Sequence, residues 1–137
     1  MPCKSLHIPS YNPLHISYSE LQCLAVAMEK EALTEGLHGM RLVANVVIRR
    51  SVLSGMSLCK VVQQPKQFSW HKAGQKLAAR SVKAERLARE ILVSVALGRH
   101  VDRLKATHFV TKESYEKIDW KLPRVLVYKN HVFMRED

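Results

Sequence analysis

Acidic residues are in short supply: the chain has 12 Asp+Glu against 22 Lys+Arg, a formal net charge of +10. A field of that sign attracts polyanions and repels cations. It admits nucleic acid, anionic cell-wall polymer and anionic lipid surfaces as partners and does not choose among them. Glycine and proline are also scarce, at 5 each, which argues against a long linker or a low-complexity tract. No apolar run approaches the roughly 20 residues of a membrane-spanning helix, so no transmembrane segment is expected. The start, Met1-Pro2-Cys3-Lys4-Ser5-Leu6-His7, lacks the apolar core of an export signal. Cysteine numbers only 3, at Cys3, Cys23 and Cys59, with no CxxC pair. That spacing suggests neither a zinc site nor a disulfide framework, and the simplest expectation is folding in a reducing cytosol. There is no HExxH, GxSxG, P-loop or GxGxxG, so no metal, cofactor or marked nucleophile is expected.

What remains is a globular balance, with 47% apolar and 25% charged residues over 137 positions. That length suits one domain with a hydrophobic core. Residues 1–18 read as an N-terminal arm, since Pro2, Pro9 and Pro13 interrupt any helical period. Residues 19–137 read as the functional domain. Ser17 followed by Glu20 has the pattern of a capping box. Leu21, Leu24, Ala25 and Met28 then recur at helical spacing, which predicts a first helix. Its apolar face continues onto Glu31, Ala32 and Glu35, while Glu29 and Lys30 fall on the wet side. Gly36 and Gly39 are expected to break it.

A second helix is predicted over about Met40 to Ser54, with Leu42, Val43, Val46 and Val47 buried and Gly55 as its stop. A third is predicted from about Leu77 to Leu97, ended by Gly98. Lys72, Lys76, Arg80, Lys83, Arg86 and Arg89 would give it a basic stripe, which commonly is only a solvated face. Val125–Tyr128 and His131–Met134 flank Lys129-Asn130 and predict a β-hairpin, although Lys-Asn is a weaker turn pair than Asn-Gly. The fold class expected is mainly α (α+β), with a small C-terminal hairpin.

Glu31 is the residue that periodicity isolates. A carboxyl held against apolar neighbours resists ionising and keeps a proton for general-acid chemistry. Cleavage of a glycosidic bond needs such a donor at the departing oxygen. The plainer alternative is a solvated carboxylate at a helix end. Glu35, one turn on, shares that face if the helix persists, and a second carboxylate would repel charge on the first. Its alternative is an ordinary exposed glutamate. Gln67, Phe68, Ser69 and Trp70 form a polar, aromatic cluster suited to sugar rings, or equally to bases or to a loop anchor. His108 and His131 read first as structural histidines.

Taken together, these segments resemble the SleB/CwlJ family of cell-wall hydrolases. Glu31-Ala32-Leu33-Thr34-Glu35 stands where that family shows Glu-Ala-Arg-Gly-Glu. Val43–Arg50, Cys59–Val62 with Gln67–Trp70, Ala106–Phe109, Trp120 and Asn130–Phe133 are similar to its later blocks, in order. Leu33 and Thr34 depart from Arg-Gly, Met40 from Gln, Arg49 from Asn and Met134 from Tyr. Val110 stands where some members have a second histidine. The resemblance implies a lysozyme-like single domain that cuts peptidoglycan glycan strands between MurNAc and GlcNAc, as a muramidase or lytic transglycosylase. It implies Glu31 and Glu35 as catalytic carboxylates. It implies Gln67, Phe68, Ser69, Trp70, Thr107, His108, Trp120 and His131 as substrate-binding residues. The expected setting is a monomeric phage lysin that meets the anionic envelope. It would be made in the host cytoplasm and act on the wall after release or within a virion. A basic nucleic-acid-binding module is the competing class, with Phe68 and Trp70 as stacking surfaces. A catalytically silent wall binder is the third.

Overall fold

The computed structural model describes residues 17–64 and 76–136. It is mainly helical with a small antiparallel sheet at its C-terminal end, an α+β arrangement. Helix α1 (Tyr18–Ala32) is followed by a 3-10 turn (Leu33–Glu35) and then α2 (Gly36–Ser54). A short α3 (Leu58–Val62) precedes α4 (Val82–Ala96). Strand β1 (His108–Thr111), α5 (Lys112–Lys117), β2 (Arg124–Tyr128) and β3 (His131–Met134) complete the described chain. The sheet order is β1-β3-β2, with every pairing antiparallel. The expected hairpin is therefore present, and β1 is an addition on its far edge.

Helix α1 is the spine of the molecule rather than a helix with one wet face. Every residue from Leu21 to Met28 is buried, because α2, α3 and α4 all pack around it. A helix surrounded in this way is apolar on all sides. Its few polar side chains face segments far away in sequence. Glu20 accepts the backbone N–H groups of Leu58 and Cys59 at 2.8 and 3.0 Å, which caps α3. Gln22 Oε1 accepts from Ala79 N at 2.7 Å. Glu29 Oε1 accepts from Arg80 N at 2.9 Å and also from Ser81 N. Glu29 is thus not on a wet face; it ties the lead-in of α4 to the end of α1. Buried polar groups must be paired, and here they align the neighbouring helices.

Local chemistry sets the helix boundaries. Ser17, Ser57, Ser81 and Thr111 each accept a backbone N–H three residues on, the usual N-cap contact. Gly55 ends α2 with φ 73°, as expected of a left-handed cap. Three boundaries differ from expectation. Helix α1 stops at Ala32 (φ −143°, ψ 13°), so Glu35 does not continue its face. Gly39 lies inside α2, where a Cβ would come within 2.7 Å of the Glu35 Cβ; it is a close-packing position, not a breaker. Helix α4 begins only after Ser81, because Ser81 caps it, so Lys76 and Arg80 precede the helix and Lys72 lies outside the described residues.

Cys23 and Cys59 form a disulfide between α1 and α3, with a Cα–Cα distance of 5.2 Å. This corrects the expectation of unpaired thiols. The two residues are 36 apart in sequence, and they meet only because α3 folds back onto α1. Spacing along the chain carries no trace of that contact.

Candidate active site

The C-terminal end of α1, the N-terminal end of α2 and the N-terminal end of α4 converge at one end of the helical layer. The β2–β3 turn joins them there. Glu35 occupies the junction and is 7% exposed. Its Oε2 accepts from Asn130 N at 2.9 Å. Its Oε1 is hydrogen-bonded to His131 Nδ1 at 2.5 Å, and His131 is itself 4% exposed. Lys129 Nζ donates to the Glu35 carbonyl at 3.2 Å. The Lys129-Asn130 turn is poor in its own sequence, and Lys129 adopts φ 47°. Glu35 compensates by receiving the turn's N–H and a lysine together. Tyr128 packs edge-on against His38 at 4.8 Å between ring centroids, over the space that Gly39 leaves open.

Glu31 sits in the last turn of α1, four residues before Glu35, and is only partly exposed. The backbone break at Ala32 means that it is placed by the end of α1 and not by a common helix face. Two glutamates thus occupy one corner in different surroundings. One is locked from both oxygens, and the other keeps contact with solvent.

A second group of anticipated residues lies at the opposite end of the sheet. The register pairs Thr111 with His131 at one end of β3 and His108 with Met134 at the other. Thr107 is buried; its hydroxyl accepts from Glu136 N at 2.9 Å and is hydrogen-bonded to His108 Nδ1 at 2.8 Å. Beside it a cavity of about 220 Å³ is lined by Arg50, Met56, Gln64, Thr107 and His108, among others. Burial lowers the His108 pKa from its ordinary value, Arg50 lowers it further, and Glu136 opposes both. Burial also lowers Arg50, which nonetheless stays cationic as a guanidinium does.

Gln64 borders this cavity at the point where the chain enters residues 65–75. Gln67, Phe68, Ser69 and Trp70 lie outside the described residues. Trp120 is partly buried, and its indole N–H has no hydrogen-bond partner among the described residues. Sequence reasoning did not single out Arg50 or Gln64. Arg50 falls near the end of the predicted second helix, and no local signal distinguishes it. A third polar pair, Arg49 with the buried Asp102 at 2.9 Å, fixes the connection before β1 to α2. His100 Nε2 bonds Asn45 Oδ1 at 2.6 Å nearby.

No curated protein and no solved structure matches the chain. A family model described as Cell Wall Hydrolase matches residues 34–134. The matched span contains Glu35, Thr107, His108, Trp120 and His131, and it begins just after Glu31. With most of the sequence matched, the chain belongs to the cell wall hydrolase family, the SleB-type enzymes that hydrolyse peptidoglycan.

Proposed function

We propose that the protein cuts the glycan strand of peptidoglycan between MurNAc and GlcNAc, with Glu31 as the general acid. The observation that carries this reading is the division of labour between two neighbouring carboxylates. Glu35 is fixed by Asn130 N and His131, whereas Glu31 is partly exposed. Paired carboxylates in unlike surroundings are the usual way one site supplies both an acid and a stationary charge.

In the proposed reaction the Glu31 carboxyl gives its proton to the glycosidic oxygen as the bond from MurNAc C1 breaks. The departing sugar leaves as an alcohol, and positive charge develops at C1. The clamped Glu35 carboxylate faces that charge without having to reorganise, which is where fixed electrostatics contribute most. The C6 hydroxyl of the same MurNAc then attacks C1, and Glu31 takes back its proton. This gives a 1,6-anhydro end and regenerates the acid. An attacking group held on the same ring has a large effective concentration, so no protein nucleophile is required. If water attacks instead, Glu35 is the candidate to activate it, and the new end is a reducing sugar.

His108, Thr107 and Arg50 would bind the strand some distance along α2, with Gln67 to Trp70 and Trp120 as further contacts. The net charge of +10 raises the rate of encounter with an anionic envelope and makes it salt-sensitive. The α1–α3 disulfide suits action outside a reducing cytoplasm. On the protein's small size and net charge of +10, we extend the proposal to a lysin of phage origin. Mass spectrometry of digested sacculi tests the reaction. Disaccharide–peptide products one water lighter than the hydrolytic products are expected. Products cut only at amide or peptide bonds would overturn the glycosidic assignment.

A further inference from the structure

The helical layer carries a groove outside the corner just described, between α2 and α4. One depression of about 310 Å³ is lined by Leu37, Arg41, Val82, Lys83 and Arg86, among others. A second of about 530 Å³ shares Arg41 and Glu90 with it and continues to Arg89, Val93 and His100. Its chemistry is two-sided. Arg41, Lys83, Arg86 and Arg89 are all exposed cations. Leu37, Val82 and Val93 expose 47%, 64% and 41% of their surfaces, above the buried Leu87 and Ile91.

The acids do not cancel the cations. Glu90 lies 3.8 Å from Arg41 between two exposed side chains, and Glu85 lies 3.6 Å from Arg89. Such pairs are weakly held and readily exchanged. Lys83 and Arg86 have no ion-pair partner among the described residues. Leu37 and Val82 line the first depression and Val93 the second, and the two meet at Arg41 and Glu90. Amphipathic lining of this kind marks an interaction surface.

Position narrows the partner. Leu37 follows Glu35 by two residues at the start of α2. Val82 follows Ser81, whose N–H is bonded to Glu29, two residues before Glu31. The groove therefore starts at the corner that holds both candidate carboxylates. A glycan strand is neutral along its sugar backbone. Its negative charges are the carboxylates of the peptide stems, and those stems also carry short aliphatic side chains. We propose that the α2–α4 groove binds the peptide stems of peptidoglycan, with Lys83 and Arg86 meeting stem carboxylates and Leu37, Val82 and Val93 meeting the aliphatic groups. This rests on the reading of the corner as a peptidoglycan-cutting site.

The test uses soluble Gram-negative glycan strands, which carry no wall phosphate polymer. They are freed by an endopeptidase so that stems remain, or are further stripped of stems by an amidase and capped as the methylamide at the lactyl carboxylate that this exposes. Fluorescence anisotropy measures binding of the Glu31→Gln protein, which holds strands uncut. Stemmed strands should bind about tenfold tighter than stripped ones, the factor two exposed ion contacts supply. Lys83→Gln with Arg86→Gln should remove that preference and leave the affinity for stripped strands unchanged. Equal affinity of the parent for both strands would overturn the proposal, as would a double variant that weakens on both alike. It would also fall if the variant's loss appeared only with duplex DNA or only as reduced self-association. Cleavage by the unaltered protein separates the two readings. Cutting of stripped strands without any stem preference removes the groove and keeps the site. Stem-dependent binding without glycan cutting does the reverse.

Discussion

The two ends of β3 present opposite kinds of polar site. At the His131 end a carboxylate is buried, bonded from both oxygens and wedged against a glycine. At the His108 end an arginine, a histidine and a glutamine border an open cavity of about 220 Å³. Buried groups with full hydrogen bonding hold geometry, and half-buried groups around a cavity hold ligands. On the proposed reading, chemistry belongs to the first end and strand binding to the second. Substitutions at the two ends should therefore fail in different ways.

The largest expected effect is at Glu31. Glu31→Gln removes a transferable proton while keeping shape, and should lower muropeptide release at least 100-fold, within the range that general acids contribute. At Glu35, Glu35→Gln leaves His131 facing a neutral amide and weakens the turn contact. Weakening two buried hydrogen bonds costs about 2 kcal/mol, so chemical denaturation should show lower stability together with lost activity. Gly39→Ala attacks the same corner by crowding alone, at about 2 kcal/mol. A Glu35→Gln protein of normal stability would show that the clamp is not structural, and the contrast between the two ends would lose one side.

The disulfide gives a third comparison. In the chain-entropy view, closing a loop across the 36-residue separation stabilises by roughly 4 kcal/mol. Reduction, or Cys23→Ser with Cys59→Ser, should lower the melting temperature by about 10 °C or more. An unchanged melting curve would mean that the packing of α3 on α1 suffices without it. At the far end, His108→Gln should raise KM on intact sacculi a few-fold with kcat nearly kept. A fall in kcat alone would move His108 into the chemistry.

The smallest expected effect is on stability against pH. Burial lowers the pKa of both His100 and His108 from the ordinary value of 6.5; Arg41 adds to the first, and Asp102 opposes it. The unfolded chain therefore binds protons before the folded one as pH falls. Stability is full above about pH 6.5 and declines below it, through the lowered folded-state values. A melting-temperature profile from pH 7.5 to 5 should show that decline, and His100→Gln with His108→Gln should flatten it. A double variant with the same slope would assign the decline to other groups.

Several of these features are legible in the sequence. The apolar period from Leu21 to Met28 marks α1, though not its end at Ala32, and the paired runs around Lys129-Asn130 mark the hairpin. Local periodicity conveys both because each depends on neighbours in the chain. The contacts that finish the site do not. Glu35 and His131 are 96 residues apart, and only the family resemblance placed them in one protein. Glu20, Gln22 and Glu29 look like surface residues in a helical pattern, yet each is committed to a distant backbone N–H. Helices α3 and α5 span 5 and 6 residues, too few for a period to show. Strand β1 is 4 residues long and only partly buried, so it lacks the alternation that identifies a strand on a core.

The most direct measurement is muropeptide release from purified sacculi by the Glu31→Gln protein, beside its melting temperature. The account predicts almost no soluble product from a protein that melts where the unaltered one does. Full release by that variant would contradict it and return the corner carboxylates to a purely structural role.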